Sequence, residues 1–194
     1  MVNACRGRAV EARTPNTRKV VREIKFHFRD MNPDFIEAYR AVLGNEHLYS
    51  VGDIFGLNKG FDAIVSPANS FGWMDGGIDL AYVNYFGGSL EHDLQRKIDA
   101  EFDGELLVGQ AAVVETGYHR IPFMISAPTM RVPHSIVGTM NVYLAFRAVL
   151  LAARKNSIES ILSPCLGTLT GGMPALESAQ QINVALRNHG GNDA

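Results

Sequence analysis

Between residues 61 and 79 the chain runs FDAIVSPANSFGWMDGGID, and this stretch holds two side chains suited to chemistry. Asn69 can donate and accept hydrogen bonds at once, which suits a vicinal diol. Asp79 is a carboxylate placed directly after Gly76, Gly77 and Ile78. Adjacent glycines at a helix start let backbone N–H groups approach an anion closely. A second small-residue loop, Gly167-Thr168-Leu169-Thr170-Gly171-Gly172, has the same character and likewise lacks Lys and Arg. Two such loops can hold phosphate through backbone N–H groups and a helix dipole, without a cationic side chain. The plainer alternative is that the glycines serve tight turns and that Asp79 only complements a helix dipole. Neither loop is followed by Gly-Lys-Ser/Thr, and neither fits G-x-G-x-x-G after the first strand.

These groups need elements to position them. Residues 20–29 alternate, with Ile24, Phe26 and Phe28 on one face and Lys25, His27 and Arg29 on the other. That pattern predicts a half-buried edge strand with His27 at the surface. Asn32-Pro33-Asp34 is a helix start, with Asn as cap and Pro at the first helical position. Short apolar runs at 46–51, 62–66, 123–127 and 160–165 predict further strands, and 105–108 and 111–114 are short apolar pieces. Helical spacing recurs after Gly77, after Ser89, through 139–154 and after Pro174. Strands alternating with helices argue for an α/β fold, a three-layer α/β/α sandwich with a mixed, mostly parallel sheet. Residues 1–19 are expected to be a basic N-terminal tail or extension, and 20–190 a single domain. The loops at 52–55, 66–78 and 166–173 each follow a predicted strand, and ligands of open α/β sheets bind outside the carboxyl ends of strands.

Composition narrows the function classes. A chain of 194 residues with 46% hydrophobic and 20% charged residues suits one soluble domain with a sizeable core. A net charge of −2 gives no bulk electrostatic reason to bind nucleic acid. Cys5 and Cys165 make neither a disulfide framework nor a zinc site, and His119 and His134 have no metal-ligand spacing. No metal and no cofactor are expected. No apolar run spans a membrane and no secretory signal is visible, so a cytoplasmic protein is expected. The oligomeric state is left open.

VGDIF, DAIVSPANS, GGIDLAY, VGQAAVVETG and LGTLTGG occur in that order over about residues 48–187. In order and spacing they resemble the macro domain, the ADP-ribose-binding module. Ser66-Pro67 stands where the family's V-N-A-A-N strand end has Asn-Ala, and Gly167 to Pro174 follows its S-T-G-x-x-G-x-P loop less closely. The resemblance implies that Asp53 accepts a hydrogen bond from the adenine amino group and that Ile54 contacts the base through its backbone. It implies that Asn69 faces the distal ribose, that Gly76, Gly77 and Ile78 form the first diphosphate loop, and that Gly167, Thr168, Leu169, Thr170 and Gly171 form the second. In the hydrolytic branch of the family, an Asp at the position of Asp79 assists attack by water at the distal ribose and a nearby Asn orients that ribose, so the resemblance implies Asn69 and Asp79 as the catalytic pair.

The resemblance therefore implies ADP-ribose binding, with hydrolysis of an ADP-ribosyl linkage on a modified protein, nucleic acid or O-acetyl-ADP-ribose. A non-catalytic reader, or a macro fold used as a structural module in a phage-derived assembly, is the alternative. The helix dipole and nearby backbone donors predict a lowered pKa for Asp79. Phe55, Phe71, Trp73, Tyr82 and Phe86 are candidates to stack on a ligand. Arg131 can pair with a phosphate or with a protein carboxylate, and Cys165 is expected to be a small buried residue.

Overall fold

Strands and helices alternate through residues 23–189, the part of the chain that the computed structural model describes. In order they are β1 (Lys25–Asp30), α1 (Pro33–Leu43), β2 (Leu48–Val51), β3 (Ala63–Ser66), α2 (Gly77–Phe86), α3 (Ser89–Glu101), β4 (Ala112–Glu115), β5 (Phe123–Ser126), α4 (Asn141–Lys155), β6 (Ser160–Ser163) and α5 (Ala175–His189). The tail expected at 1–19, and Cys5 with it, lies outside the described residues.

The strands form one sheet in the order β2-β1-β6-β3-β5-β4. All neighbours pair in parallel except β4, which runs antiparallel to β5. Alternate side chains of each strand point to opposite faces. Ala63, Val65, Ile125 and Ile161 pack with Phe26 and Phe28 under α1, α4 and α5. Ile64, Met124 and Leu162 pack under Tyr82 of α2 and Leu90, Leu94 and Ile98 of α3. The result is the expected three-layer α/β/α sandwich with a mixed, mostly parallel sheet.

Local signals set most boundaries. Asn32 caps α1 by accepting from the Asp34 N–H, with Pro33 at the first helical position. Arg154 and Lys155 lie in the last turn of α4, where cations complement the dipole. Of the two apolar pieces between α3 and β5, only 112–115 is a strand.

β1 departs from expectation. It lies between β2 and β6 rather than at an edge, so its polar face is covered too. His27 is buried, with Nε2 2.8 Å from Ser50 Oγ and its ring edge-on to Phe61. Burial, then Lys59 and Arg29, hold its pKa below the ordinary histidine value.

A closed hydrogen-bond network ties α1 and α5 to the end of β6. The Tyr39 hydroxyl lies 2.6 Å from Ser178 Oγ, Ser178 donates to the Leu166 carbonyl, and the Leu166 N–H donates to Tyr39. All three residues are buried. Tyr39→Phe leaves the Leu166 N–H buried without an acceptor, and is expected to lower stability by about 1–3 kcal/mol. Urea titration measures this, and an unchanged midpoint would show that Leu166 finds another partner.

Candidate functional site

The parallel strands β1, β2, β3, β5 and β6 all end on one side of the sheet, and a cavity of about 410 Å³ opens there. Arg29 and Asp30 from the end of β1 line it, as do Gly52 and Ile54 after β2, Pro67, Ala68 and Asn69 after β3, and Pro164, Cys165 and the following loop after β6. Thr129 and Met130 complete the wall after β5.

Two of these loops expose backbone donors. Gly76 is the N-cap of α2 and no side chain caps that helix. Gly77 has φ +57°, a left-handed conformation that favours glycine. The N–H groups of Gly76, Gly77 and Ile78 pair with no acceptor among the described residues. The N–H groups of Gly167, Thr168, Leu169, Thr170 and Gly171 likewise have no acceptor among the described residues. The second loop is closed on itself by Met173 N–H to Gly167 O (3.0 Å) and Gly172 N–H to Leu169 O (2.9 Å). It is tied to the 136 region by Ile136 N–H to Gly171 O at 2.8 Å. Each run therefore brings N–H groups with no acceptor among the described residues to the cavity wall, one of them at a helix N-terminus, where anions are favoured.

Asp79 lines the same cavity from the first turn of α2 and is only 8% exposed. Ser66, at the end of β3, donates its hydroxyl to Asp79 Oδ1 at 2.6 Å. Burial pushes the Asp79 carboxyl up to about 6, and the Ser66 hydrogen bond opposes that rise only in part. The expected lowering does not occur. The side chain has left water, and the free N–H groups of the helix start do not hydrogen-bond it. Ser66 is a functional neighbour that the sequence offered only as a departure from the family's strand end.

Asn69 also lines the cavity and is 8% exposed, but most of its hydrogen-bonding capacity serves its own loop. Oδ1 accepts from the Phe71 and Trp73 N–H groups, and Nδ2 donates to the Trp73 carbonyl at 2.7 Å. One amide N–H is left for anything else.

Ile54 is buried on the cavity wall, whereas Asp53 is exposed and is not among the lining residues. Asp53 Oδ1 accepts from the Phe55 N–H, a turn interaction, and no donor among the described residues meets Oδ2. Arg29 braces this loop from below, donating Nε–H to the Asp53 carbonyl at 2.6 Å and Nη1–H to Ser50 Oγ at 2.7 Å. Arg29 is the one Lys or Arg lining the cavity among the described residues, a role that strand alternation did not point to.

Of the aromatic candidates, Trp73 lines the cavity and the others do not. Tyr82 is fully buried and donates to the Val65 carbonyl, tying α2 to β3. Phe55 stacks on Tyr85 at 3.7 Å and packs against Tyr82 and Phe86. Arg131 pairs with Glu105 at 2.7 Å. Burial pushes the Cys165 thiol well up, so it is not a nucleophile at neutral pH. No group of three His, Cys, Asp or Glu side chains that could hold a metal ion occurs among the described residues, and no helix there is long and apolar enough to cross a membrane.

A mixed α/β sandwich with a cavity at the carboxyl ends of its parallel strands, walled by two runs of N–H groups that meet no acceptor among the described residues, defines the class of α/β domain. Residues 65–182 match the Macro domain family, and the chain belongs to it. It is 32% identical over 136 residues to an uncharacterized protein of Aeropyrum pernix, covering 70% of this chain and 68% of the relative. The fold is similar to the macrodomain of Mycobacterium tuberculosis DarG, with TM-score 0.60 and 23% identity, covering 73% of this chain and 90% of that one. It is also similar to a glycine-to-valine variant of the Oceanobacillus iheyensis macrodomain with ADPR, with TM-score 0.61 and 22% identity, covering 71% and 74%.

Proposed function

We propose that the cavity binds ADP-ribose and that the protein hydrolyses an ADP-ribosyl linkage at the distal ribose. The observation that carries hydrolysis is Asp79, a buried carboxyl on the cavity wall raised to about 6, close to the pH at which it would work. Binding is supported by the two N–H loops and by Oceanobacillus iheyensis macrodomains solved with ADPR and with ADP. Solved variants of that macrodomain carry substitutions at an asparagine, a glycine seven residues on and an aspartate three residues further, the spacing of Asn69, Gly76 and Asp79.

In this reading the N–H groups of residues 76–78 and 167–171 hold the diphosphate. The adenine amine donates to the open oxygen of Asp53 beside Ile54. Asp79, held at Oδ1 by Ser66, takes a proton from water through Oδ2. The water oxygen bonds to the anomeric carbon as the bond to the acceptor breaks. An ester-linked acceptor leaves as a carboxylate. Mono-ADP-ribosylated protein or nucleic acid would supply a linkage at the anomeric carbon; with O-acetyl-ADP-ribose the water oxygen bonds instead to the acetyl carbonyl, acetate leaves and the ribose hydroxyl is freed.

A base that must be ionised gives kcat/KM an acid limb centred near the Asp79 value of about 6, falling toward lower pH and flat above it. Bound diphosphate adds negative charge nearby, so the limb of kcat should lie to the alkaline side of that of kcat/KM. Undiminished turnover at pH 4.5 would remove Asp79 as the base.

A non-catalytic reader is the second reading. It is favoured by the commitment of Asn69 to its own loop, which leaves one N–H for the ribose diol. Calorimetric titration with ADP-ribose tests both readings together. Absence of heat and of thermal stabilisation at millimolar ligand removes them both, since a ligand preferring the folded state must raise stability. Binding without turnover on a mono-ADP-ribosylated protein selects the reader.

A further inference from the structure

Trp73 takes no part in the hydrolysis outlined above, yet it is held firmly at the cavity wall. It is 44% exposed and lines the cavity. Its ring stacks on Phe71, with centroids 4.8 Å apart and planes 25° apart. Phe71 in turn has the Arg131 guanidinium 4.9 Å from its centroid, and Arg131 is fixed by two hydrogen bonds to Glu105, at 2.7 and 3.2 Å. The backbone of Trp73 is pinned at both its N–H and its carbonyl by the Asn69 side chain. An exposed indole braced in this way is a preorganised surface for a flat or cationic group, since little side-chain freedom remains to be lost on contact.

Charge decides between those two kinds of group. The charged side chains lining the cavity are Arg29, Asp30, Asp75 and Asp79. Arg29 is engaged with the Asp53 carbonyl and Ser50. Asp30 accepts from the Asn32 and Cys165 N–H groups, and Asp79 accepts from Ser66. Asp75 differs: it is exposed, and no hydrogen bond or ion pair among the described residues involves it. A diphosphate thus enters a cavity with more carboxylates than cations, and positive charge elsewhere on the substrate would offset that imbalance. A nucleic-acid acceptor would instead bring its own phosphates toward Asp75, while the nearby cation Arg131 is already paired with Glu105.

We propose that Trp73 and Asp75 form a subsite for a cationic side chain of the acceptor, so that the preferred substrate is an ADP-ribosylated polypeptide with Lys or Arg next to the modified residue. This rests on the reading of the cavity as an ADP-ribose site. An ammonium or guanidinium group lies over the Trp73 ring and pairs with the Asp75 carboxylate. Tryptophan is the best of the aromatic partners for such a cation.

The test measures Kd for the full chain with free ADP-ribose and with peptides bearing ADP-ribose through a non-hydrolysable linkage, flanked either by lysines or by glutamates. A single-stranded oligonucleotide with ADP-ribose attached in the same way is the third probe. The lysine-flanked peptide is expected to bind about tenfold more tightly than the glutamate-flanked one in low salt. That ratio should shrink to a few-fold at about 0.5 M salt. Asp75→Asn and Trp73→Ala should each cut the low-salt ratio to about threefold, and the double variant should bring it near one. Equal affinity for the two peptides overturns the inference alone, as does tighter binding of the oligonucleotide, and either leaves the ADP-ribose reading standing. Failure of free ADP-ribose to bind overturns both.

Discussion

Asp79→Asn is expected to slow hydrolysis of an ADP-ribosylated peptide by about 10²–10⁴-fold and, at pH 7.5, to raise the melting temperature of the protein. The two effects have one cause. The Asp79 carboxyl is pushed up to about 6 in the folded protein, from 3.8. Between those values the folded protein holds a proton that the unfolded chain does not. Stability contributed by this group is therefore complete below about pH 4, is lost as pH rises through about 6, and stays lost at pH 7.5. A shift of about two units corresponds to at most about 3 kcal/mol. Asparagine carries no charge to desolvate, and its carbonyl can still accept from Ser66. The variant should thus gain on the order of 1–3 kcal/mol at pH 7.5, or several degrees at about 2–4 °C per kcal/mol for a domain of this size. At pH 4 the melting temperatures should converge. Thermal melts at the two pH values, with a demodification assay and ADP-ribose titration alongside, separate the possibilities. A variant that binds ADP-ribose but does not turn over supports the base. One that keeps full activity removes it. A melting-temperature difference that ignores pH would show that burial does not raise this carboxyl.

The burial that raises the Asp79 carboxyl also lies beyond what the residues alone encode. The layered fold was legible because its signals are local. Asn32-Pro33 starts a helix by capping chemistry, and Ala63, Ile64 and Val65 sit in a strand buried on both faces. The two glycine loops were legible as loops because runs of small, turn-forming residues follow an apolar strand, although tight turns alone would leave the same pattern. What was not legible depends on contacts across the fold. His27 is buried because β2 pairs on one side of β1 and β6 on the other, and no alternation within 20–29 encodes strand order. The rise of the Asp79 pKa follows from burial at a cavity wall, which outweighs the helix start that suggested a lowered one. The commitment of Asn69 to Trp73 is a property of a loop conformation, and so is the outward position of Asp53 with its Oδ1 spent on Phe55. Residue type told which groups could act there; tertiary packing determined how much of each remains available.

The second loop gives the other large expected effect. Gly171→Ala should weaken ADP-ribose binding by more than tenfold and lower stability, although alanine adds one carbon. A Cβ at 171 would lie 2.6 Å from the Gly167 carbonyl oxygen and 2.8 Å from Ile136 Cγ1. The Ile136 side chain is fully buried in the core. The Gly167 oxygen is backbone, and it already accepts from Met173 N–H at 3.0 Å in the bond that closes the loop. Relief of the clash must therefore move the main chain, at a cost of about 1–3 kcal/mol. Movement there turns the N–H groups of residues 167–171 away from a common anion. Each hydrogen bond lost to a charged group is worth about 1.5–3 kcal/mol, and 1.4 kcal/mol is tenfold in Kd. Gly76→Ala is the matched control for stability. Gly76 has φ −151° and nothing within 4 Å of an added Cβ, so its melting temperature should hardly change. Calorimetric titration and thermal melts on Gly171→Ala, with melts on Gly76→Ala, test the argument. If Gly171→Ala binds ADP-ribose within twofold of the parent, the 167–171 loop does not hold the diphosphate, and the anion site reduces to the start of α2.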